Sequence, residues 1–89
     1  MYVLEFENDW KKYFRSVPPD IQLRFKKRLE KYENFPTVSF RHEKHGLDYF
    51  VDEIGQYRVL FTSEETSKIR RFYFIGDHKE YEKFLGTRN

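Results

Sequence analysis

The stretch IGQYRVLF, residues 54–61, combines a two-residue turn with a strand of alternating character. Three apolar side chains of this strand alternate onto one face: Tyr57, Val59 and Phe61. Arg58 falls on the opposite face. A turn this short joins antiparallel strands, so residues 47–54 are predicted to pair with this strand. A polar loop at 63–67 and a further strand at 68–75 are predicted to continue the sheet.

The N-terminal part of the chain predicts one strand and two helices. Residues 2–6 are rich in β-branched and aromatic side chains, which favours a strand. Apolar residues then recur at helical spacing in 10–17 and again in 19–32. The pair Pro18-Pro19 separates the two patterns, because a residue before proline avoids the helical region. This part therefore predicts a strand followed by a helical hairpin.

The C-terminal part predicts a short helix from His78 to Leu85, with Asp77 as its N-cap and Gly86 as its end. The predicted order is β-α-α-β-β-β plus this helix. That order belongs to the α+β class, with the N-terminal strand and the helical hairpin packed on a mainly antiparallel sheet.

Length and composition exclude several classes of protein. A chain of 89 residues predicts a single domain, residues 1–89. The absence of cysteine excludes disulfides, thiolate metal sites and a cysteine nucleophile, and a small domain without disulfides is expected in the cytoplasm. Neither a membrane-spanning segment nor a signal peptide is predicted.

Positive charge is concentrated in residues 11–31. The chain has a net charge of +2, but this segment contains eight basic residues and two acidic ones, Asp20 and Glu30. Such a basic face can bind the phosphate backbone of a nucleic acid. The alternative is a solvated helix face with no ligand.

Histidines offer weak support for a metal site. His42 and His45 flank Glu43, but the pair has no third ligand at a suitable spacing. Residues 42–46 are predicted to lie in a loop. No metal site is therefore predicted.

Three side chains in the second half could carry chemistry, and each has a structural alternative. Arg58 can clamp a phosphate, or it can pair with a carboxylate on a neighbouring strand such as Asp52. His78 and Tyr81 are one helical turn apart and can transfer protons or stack on a base. Alternatively, Tyr81 and Phe84 anchor the last helix while His78 faces water.

Taken in order, five stretches resemble the RelE/ParE superfamily of small toxins from prokaryotic toxin–antitoxin modules. The resemblance runs from Phe6 to Phe84. The stretches are DWKKYF at 9–14, the long helix at 19–32, GLDYF at 46–50, IGQYRVLF at 54–61 and FIGDHKEY at 74–81. No single stretch is specific, but their order at this length is.

The resemblance implies an activity and its partners. RelE-type members are endonucleases that enter the ribosomal A site and cleave mRNA there. The ribose 2′-OH attacks the adjacent phosphate, so no cofactor is expected. A RelB-like antitoxin is the expected protein partner, in a toxin–antitoxin hetero-oligomer, and the ribosome and mRNA are the other expected partners.

The resemblance also implies residue roles. Arg58 matches the strand arginine of the family and is expected to hold the scissile phosphate. His78 is placed where members carry a histidine or an arginine. Tyr81, or Phe84 instead, supplies the C-terminal aromatic ring, and Glu43 lies near the glutamate base of YoeB-like relatives. The residues expected to bind ribosomal RNA are Lys11, Lys12, Arg24, Lys27, Arg28 and Lys31.

One stretch departs from the family pattern. RelE itself has lysines on the strand before the Tyr-Arg motif, whereas this chain has Phe50-Val51-Asp52-Glu53. Two acidic residues there would repel phosphate unless one acts as the base or pairs with Arg58. A ParE-like gyrase poison, an inactive RelE homologue and an unrelated α+β RNA-binding domain therefore remain open as alternatives.

Overall fold

A five-stranded sheet forms the centre of the protein. The structure is a computed structural model that describes residues 1–88, and the side chains of all of these except His45, Thr87 and Arg88. The strands are β1 (Val3–Phe6), β2 (Arg41–His45), β3 (Leu47–Ile54), β4 (Tyr57–Glu64) and β5 (Ile69–Asp77). They lie in the order β1-β5-β4-β3-β2. The β1–β5 pair is parallel and the other three pairs are antiparallel. The predicted α+β class and mainly antiparallel sheet are confirmed.

Four α-helices pack on this sheet. They are α1 (Trp10–Ser16), α2 (Pro19–Lys27), α3 (Leu29–Asn34) and α4 (His78–Arg88), with a short 3-10 helix at Thr37–Ser39. The predicted helical hairpin is confirmed, but its long second helix is divided at Arg28. Arg28 has φ −94° and ψ 0°, and its guanidinium reaches across to the Glu53 carbonyl oxygen at 2.7 Å. The bend therefore coincides with a tertiary contact rather than with a proline or glycine.

The prediction of a loop at residues 42–46 is wrong, because most of this stretch belongs to β2. Backbone pairing with β3 holds it, from Arg41 opposite Val51 to His45 opposite Leu47. Gly46 makes the reversal possible with φ 78°, a conformation that L side chains rarely adopt. Because β2 is an edge strand, it needs no apolar alternation in its own sequence.

Apolar side chains fill both faces of the sheet. On the α1–α3 side the buried core includes Phe25, Tyr32, Phe61 and Phe72. On the other face, α4 covers much of the sheet with three buried side chains: Tyr81, Phe84 and Leu85. Ordinary strand alternation places Leu60 and Phe61 of β4 in opposite cores. The register shift at this point inserts an extra residue on β5 between Phe72 and Phe74, so these two side chains also lie in opposite cores.

The start of α4 is fixed by reciprocal hydrogen bonds. The Glu80 backbone N–H donates to Asp77 Oδ1 at 2.9 Å, and the Asp77 N–H donates to Glu80 Oε1 at 2.9 Å. This capping box confirms Asp77 as the N-cap. Gly86 was predicted to end the helix, but α4 continues to Arg88. No helix among residues 1–88 is both long and apolar enough to cross a membrane.

A buried carboxylate links β3 to the helical hairpin. Asp52 is 8% exposed and accepts hydrogen bonds from Tyr32 Oη at 2.7 Å, Arg28 Nη1 at 3.0 Å and Lys31 Nζ at 3.1 Å. Burial alone would raise the pKa of Asp52, but these three donors hold it below its usual value of 3.8. Asp52 therefore acts as an ionised connector between the sheet and α3.

Candidate functional site

Arg58 lies where the sheet meets the start of α4. On β4 it is paired with Glu53 of β3 and Gly76 of β5. Its guanidinium Cζ lies 4.8 Å from the centre of the Tyr81 ring, which is a cation–π distance. The side chain is 23% exposed. Arg58 is therefore held against α4 while its polar end remains open to a ligand.

Arg58 pairs with a carboxylate on the neighbouring strand, as the structural alternative predicted, but this carboxylate belongs to Glu53 and not to Asp52. Arg58 Nε lies 3.3 Å from Glu53 Oε2. The two-residue turn after Ile54 sets this register, with Gly55 at φ 60°. Neighbouring strand residues point to opposite faces, so Asp52 is turned towards the helical hairpin instead.

A second guanidinium, from Arg41 on β2, shares the Glu53 carboxylate. Arg41 Nη1 lies 3.6 Å from Glu53 Oε2, and Arg41 Nε lies 4.0 Å from Glu43 Oε2. Because the Glu53 side chain is 52% exposed, water screens these pairs and they stabilise the fold little. Sequence reasoning missed Arg41, since it did not recognise the strand that positions this residue.

Tyr81 places an unsatisfied hydroxyl group beside these cations. The residue is 5% exposed, and its buried hydroxyl has no hydrogen-bond partner among the described residues. Burial, with the negative charge of Glu43, raises the pKa of Tyr81, and the nearby Arg41 and Arg58 oppose this shift. The phenol is therefore neutral at physiological pH and can donate a hydrogen bond. A buried hydroxyl without a partner carries a free-energy cost, and a hydrogen bond from this hydroxyl to a ligand in the adjacent cleft would remove it.

His78 is the first residue of α4 and faces solvent. Its side chain is 60% exposed, and Nε2 lies 3.5 Å from Glu82 Oε2. The imidazole and the Tyr81 ring are nearly parallel at 26°, with centroids 6.5 Å apart, which confirms that they share a helix face. Tyr81 and Phe84 also anchor α4 in the second core. Tyr81 and Phe84 thus anchor α4, as the structural alternative predicted, while His78 remains accessible to a ligand.

Two adjoining clefts share Arg58 as a common wall. One, of about 500 Å³, is lined by Glu53, Arg58 and His78 among others. The second, of about 420 Å³, is lined by Arg41, Glu43, Arg58 and Tyr81 among others. The four residues predicted as catalytic, which are Arg58, His78, Tyr81 and Glu43, are thus gathered around one guanidinium. Two guanidinium groups can bind an anion here, while a carboxylate and an imidazole can accept and donate protons.

The described side chains around His42 are not arranged as a metal site. His42 Nε2 lies 3.1 Å from Asp48 Oδ1 across the β2–β3 hairpin. Among the side chains that the structure describes, no group of three or more His, Cys, Asp or Glu is placed to hold a metal ion.

Comparison with known proteins connects this architecture to one group of solved structures. No protein-family model matches the chain, and no curated protein matches it in sequence. A double mutant of the E. coli toxin RelE in the free state matches with a TM-score of 0.76 and 16% identity, over 98% of this chain and 92% of that chain. The chain has the RelE fold. The predicted resemblance to RelE is therefore confirmed for the fold.

Two complexes extend the match with the RelE fold to other organisms. The RelBE toxin–antitoxin complex of Mycobacterium tuberculosis matches with a TM-score of 0.74 and 15% identity, over 86% of this chain and 98% of that chain. The archaeal RelE–RelB complex from Pyrococcus horikoshii matches with a TM-score of 0.68 and 20% identity, over 85% and 93%. At such identities the likeness establishes the fold, and the activity has to be argued from the site.

Within this RelE fold, only one of the two acidic residues on β3 faces Arg58. Asp52 is bound to Tyr32 on the opposite face of the sheet, and Glu53 alone borders the cleft. Of the two carboxylates that were expected to repel a phosphate, only the exposed Glu53 carboxylate lies at the cleft.

The six residues of this chain that were predicted to bind RNA divide into two groups. Arg28 and Lys31 are bound to Asp52. The other four side chains are exposed on α1 and α2: Lys11, Lys12, Arg24 and Lys27. Arg24 also lies beside the β3–β4 turn. Its Nη1 atom is so close to Gly55 that a Cβ atom added to this glycine would lie 3.1 Å from it. Positive charge therefore reaches from the helical hairpin to the turn that precedes Arg58.

Proposed function

We propose that this chain is the toxin of a type II toxin–antitoxin module and a ribosome-dependent endoribonuclease that cleaves mRNA in the A site, thereby inhibiting translation. The observation that carries the proposal is the arrangement around Arg58. There, a second arginine, an unsatisfied tyrosine hydroxyl, a carboxylate and an imidazole border the two clefts that share Arg58. These are the groups that cleavage by an internal 2′-OH requires.

The proposed reaction places the scissile phosphate on Arg58. Glu43 removes the proton of the 2′-OH, the 2′ oxygen bonds to phosphorus, and the bond from phosphorus to the 5′ oxygen breaks. His78 gives its proton to that leaving oxygen. The products are a 2′,3′-cyclic phosphate and a free 5′-OH. Because Glu43 and His78 line different clefts with Arg58 between them, the arrangement suits a base and an acid on opposite sides of the phosphate.

Tyr81 has two parts in this proposal. Its ring supports the Arg58 guanidinium, and its neutral hydroxyl donates a hydrogen bond to a phosphate oxygen or to the 2′ oxygen. No metal ion or other cofactor takes part in these steps. We place the activity in the cytoplasm, where translating ribosomes are found.

We expect His78→Ala and Tyr81→Phe to lower cleavage by about 10²-fold each, the usual contribution of a general acid or of an electrostatic donor. Cleavage is measured by primer extension on mRNA in a translation extract. The ends of the products are then analysed for a 2′,3′-cyclic phosphate and a 5′-OH. Tyr81→Phe keeps the ring that packs beneath Arg58, so it tests the hydroxyl alone.

His42→Ala is the matched control for His78→Ala, because it also removes a half-exposed imidazole but lies outside both clefts. Full activity in His78→Ala would remove this residue from the mechanism. Products with a 5′-phosphate would show that water, rather than the 2′-OH, is the nucleophile.

A non-catalytic binding protein of the same fold is the second candidate, and Glu53 is the observation that favours it. In the free chain the Glu53 carboxylate already pairs with both Arg58 and Arg41. A substrate phosphate must displace it before it can bind both guanidinium groups.

Glu53→Gln separates these two candidates. Removing one screened negative charge about 4 Å from a phosphate is worth roughly 1 kcal/mol, so an active nuclease should show a KM about fivefold lower. The KM is measured with programmed ribosomes at fixed ionic strength. The control is Glu30→Gln, which changes an exposed glutamate of α3 that lines neither cleft. If neither the wild type nor Glu53→Gln cleaves at any concentration, the binding-protein candidate is preferred.

The proposal includes a RelB-like antitoxin as the protein partner. Solved complexes of RelE with RelB are among the structures that share this fold, which supports a toxin–antitoxin hetero-oligomer for this chain as well.

A further inference from the structure

His78 is held in place by the backbone of α4 more than by contacts of its own side chain. The exposed imidazole has its Nε2 atom 3.5 Å from an exposed carboxylate, that of Glu82. The Tyr81 ring lies beside it, with the two ring centroids 6.5 Å apart. Water weakens the ion pair, because exposed charges are screened. The position of His78 at the Arg58 clefts therefore depends on the backbone at the start of α4.

The start of α4 is not anchored by apolar packing. Tyr81, Phe84 and Leu85 are buried in the core beneath the helix, and they fix the later residues of α4 to the sheet. Residues 78–80, all of which the structure describes, contribute no buried side chain. Another interaction must therefore hold these residues in helical conformation.

Glu80 supplies that interaction through its carboxylate. Glu80 Oε1 accepts a hydrogen bond from the Asp77 backbone N–H at 2.9 Å, and the Glu80 N–H donates to Asp77 Oδ1 at 2.9 Å. Both bonds join the end of β5 to the first turn of α4, and His78 lies between the two residues that make them. The Glu80 side chain is not among the described residues that line the two clefts. Glu80 therefore acts on the backbone rather than on a ligand.

Gly76 allows Glu80 to pack directly on β5. A Cβ atom added to Gly76 would lie 2.9 Å from Glu80 Oε1 and 2.5 Å from Phe74 Cζ, and both distances are too short for a real Cβ contact. Gly76 is also the residue of β5 that lies opposite Arg58 on β4. The close approach at Gly76 therefore fixes the start of α4 relative to the strand pair that carries Arg58.

We propose that Glu80 is a positioning residue for His78. Its carboxylate holds the first turn of α4 closed and thereby keeps the imidazole at the Arg58 clefts. This role rests on the proposed function, in which His78 protonates the leaving 5′ oxygen. Without the carboxylate the first turn opens and His78 moves away, whereas Tyr81 stays anchored in the core. Loss of Glu80 therefore impairs proton transfer and spares phosphate binding.

Glu80→Ala should lower kcat for A-site mRNA cleavage by about tenfold and leave KM unchanged. A misplacement of about 1 Å is enough for a loss of this size, while Arg58 and Tyr81 still bind the phosphate. Glu80→Gln should cleave at the wild-type rate, because its side-chain carbonyl oxygen can accept the same hydrogen bond. Both constants are measured by primer extension with programmed ribosomes.

Glu30→Ala is the matched control. Glu30 also lies in the first turn of a helix, α3, for which the described side chains provide no cap hydrogen bond. The control should leave kcat, KM and the melting temperature unchanged. Thermal melting of Glu80→Ala is measured alongside it, so that the loss of kcat is compared among folded proteins.

A double-mutant cycle distinguishes positioning of His78 from a general effect on the fold. If Glu80 acts through His78, the double variant His78→Ala/Glu80→Ala should cleave as slowly as His78→Ala alone. Multiplication of the two losses would overturn the proposal. An unchanged kcat in Glu80→Ala, or a loss that appears in KM instead, would overturn it as well.

Nuclear magnetic resonance of the free chain provides a test that does not depend on cleavage. In Glu80→Ala the Asp77 amide proton should exchange with solvent about tenfold faster, and the nuclear Overhauser contact between the His78 and Tyr81 rings should weaken. Glu80→Gln should retain both signals. If the wild type does not cleave mRNA, the proposed function fails, and these signals decide whether Glu80 holds His78. Unchanged signals in Glu80→Ala would reject the role of Glu80 even in an active nuclease.

Discussion

Arg58→Ala should lower the rate of A-site mRNA cleavage by about 10²–10³-fold, the effect of removing one preorganised charge donor from a transition state. Arg58 borders both clefts, whereas Arg41 borders only the second, so Arg41 can replace only part of the contact with the phosphate. The structural cost is small in comparison. The variant loses the contact with the Tyr81 ring, worth about 0.5–1 kcal/mol for a partly exposed pair.

Two further variants make this result interpretable. Arg58→Lys retains the charge but loses the planar two-pronged donor, and we expect it to recover only a small part of the activity. Arg15→Ala removes an exposed arginine of α1 and should cleave normally. Thermal melting of all three variants is compared with that of the wild type. An Arg58→Ala protein that melts normally and still cleaves at the wild-type rate would contradict the proposed site.

Asp52→Ala should lower the stability of the fold far more than the removal of an exposed carboxylate. The substitution leaves the Tyr32 hydroxyl without its 2.7 Å acceptor in a residue that is 0% exposed. It also leaves Arg28 and Lys31 without their anion. Breaking such a buried network costs several kcal/mol. Because Arg28 and Lys31 are about a third exposed, we expect the free energy of unfolding to fall by about 2 kcal/mol.

The loss is measured by urea unfolding at several pH values. The pKa of Asp52 is lower in the folded chain than in the unfolded chain, so its contribution is fully present above the unfolded value of about 3.8. It is lost as the pH falls through the folded pKa. Asp52→Asn should therefore flatten the acid side of the stability curve. Asp48→Ala, an exposed aspartate on the same strand, is the control, and an equal loss in both variants would contradict a special role for Asp52.

Much of the fold follows from local patterns. The alternation after Tyr57 and the two-residue turn before it predict the β3–β4 hairpin, and the helical spacing of Ile21 and Phe25 predicts the second helix of the hairpin. Both predictions hold because the apolar side chains that form these patterns also pack together between the helices and the sheet.

Other parts depend on partners that are distant in the sequence. Arg41 and Glu43 lie on a strand held by backbone pairing with β3, so no apolar period marks it. The division at Arg28 reflects its bonds to Asp52 and the Glu53 carbonyl. The pairing of Arg58 with Glu53 was missed, although the sequence contains the information that predicts it. Counting back from the turn assigns Glu53, rather than Asp52, to the face of Arg58.

The parallel pairing of β1 with β5 also sets the order in which the protein can form. Glu5 lies opposite Arg71, 66 residues later in the chain. β1 can therefore pair with the sheet only after β5 has been synthesised. Folding that depends on a contact between such distant parts of the chain is slow. His78 and Tyr81 come later still, so a chain emerging from the ribosome lacks both its closing strand and one wall of each cleft. Under the proposed function, the toxin gains its activity only after the ribosome that makes it has nearly finished.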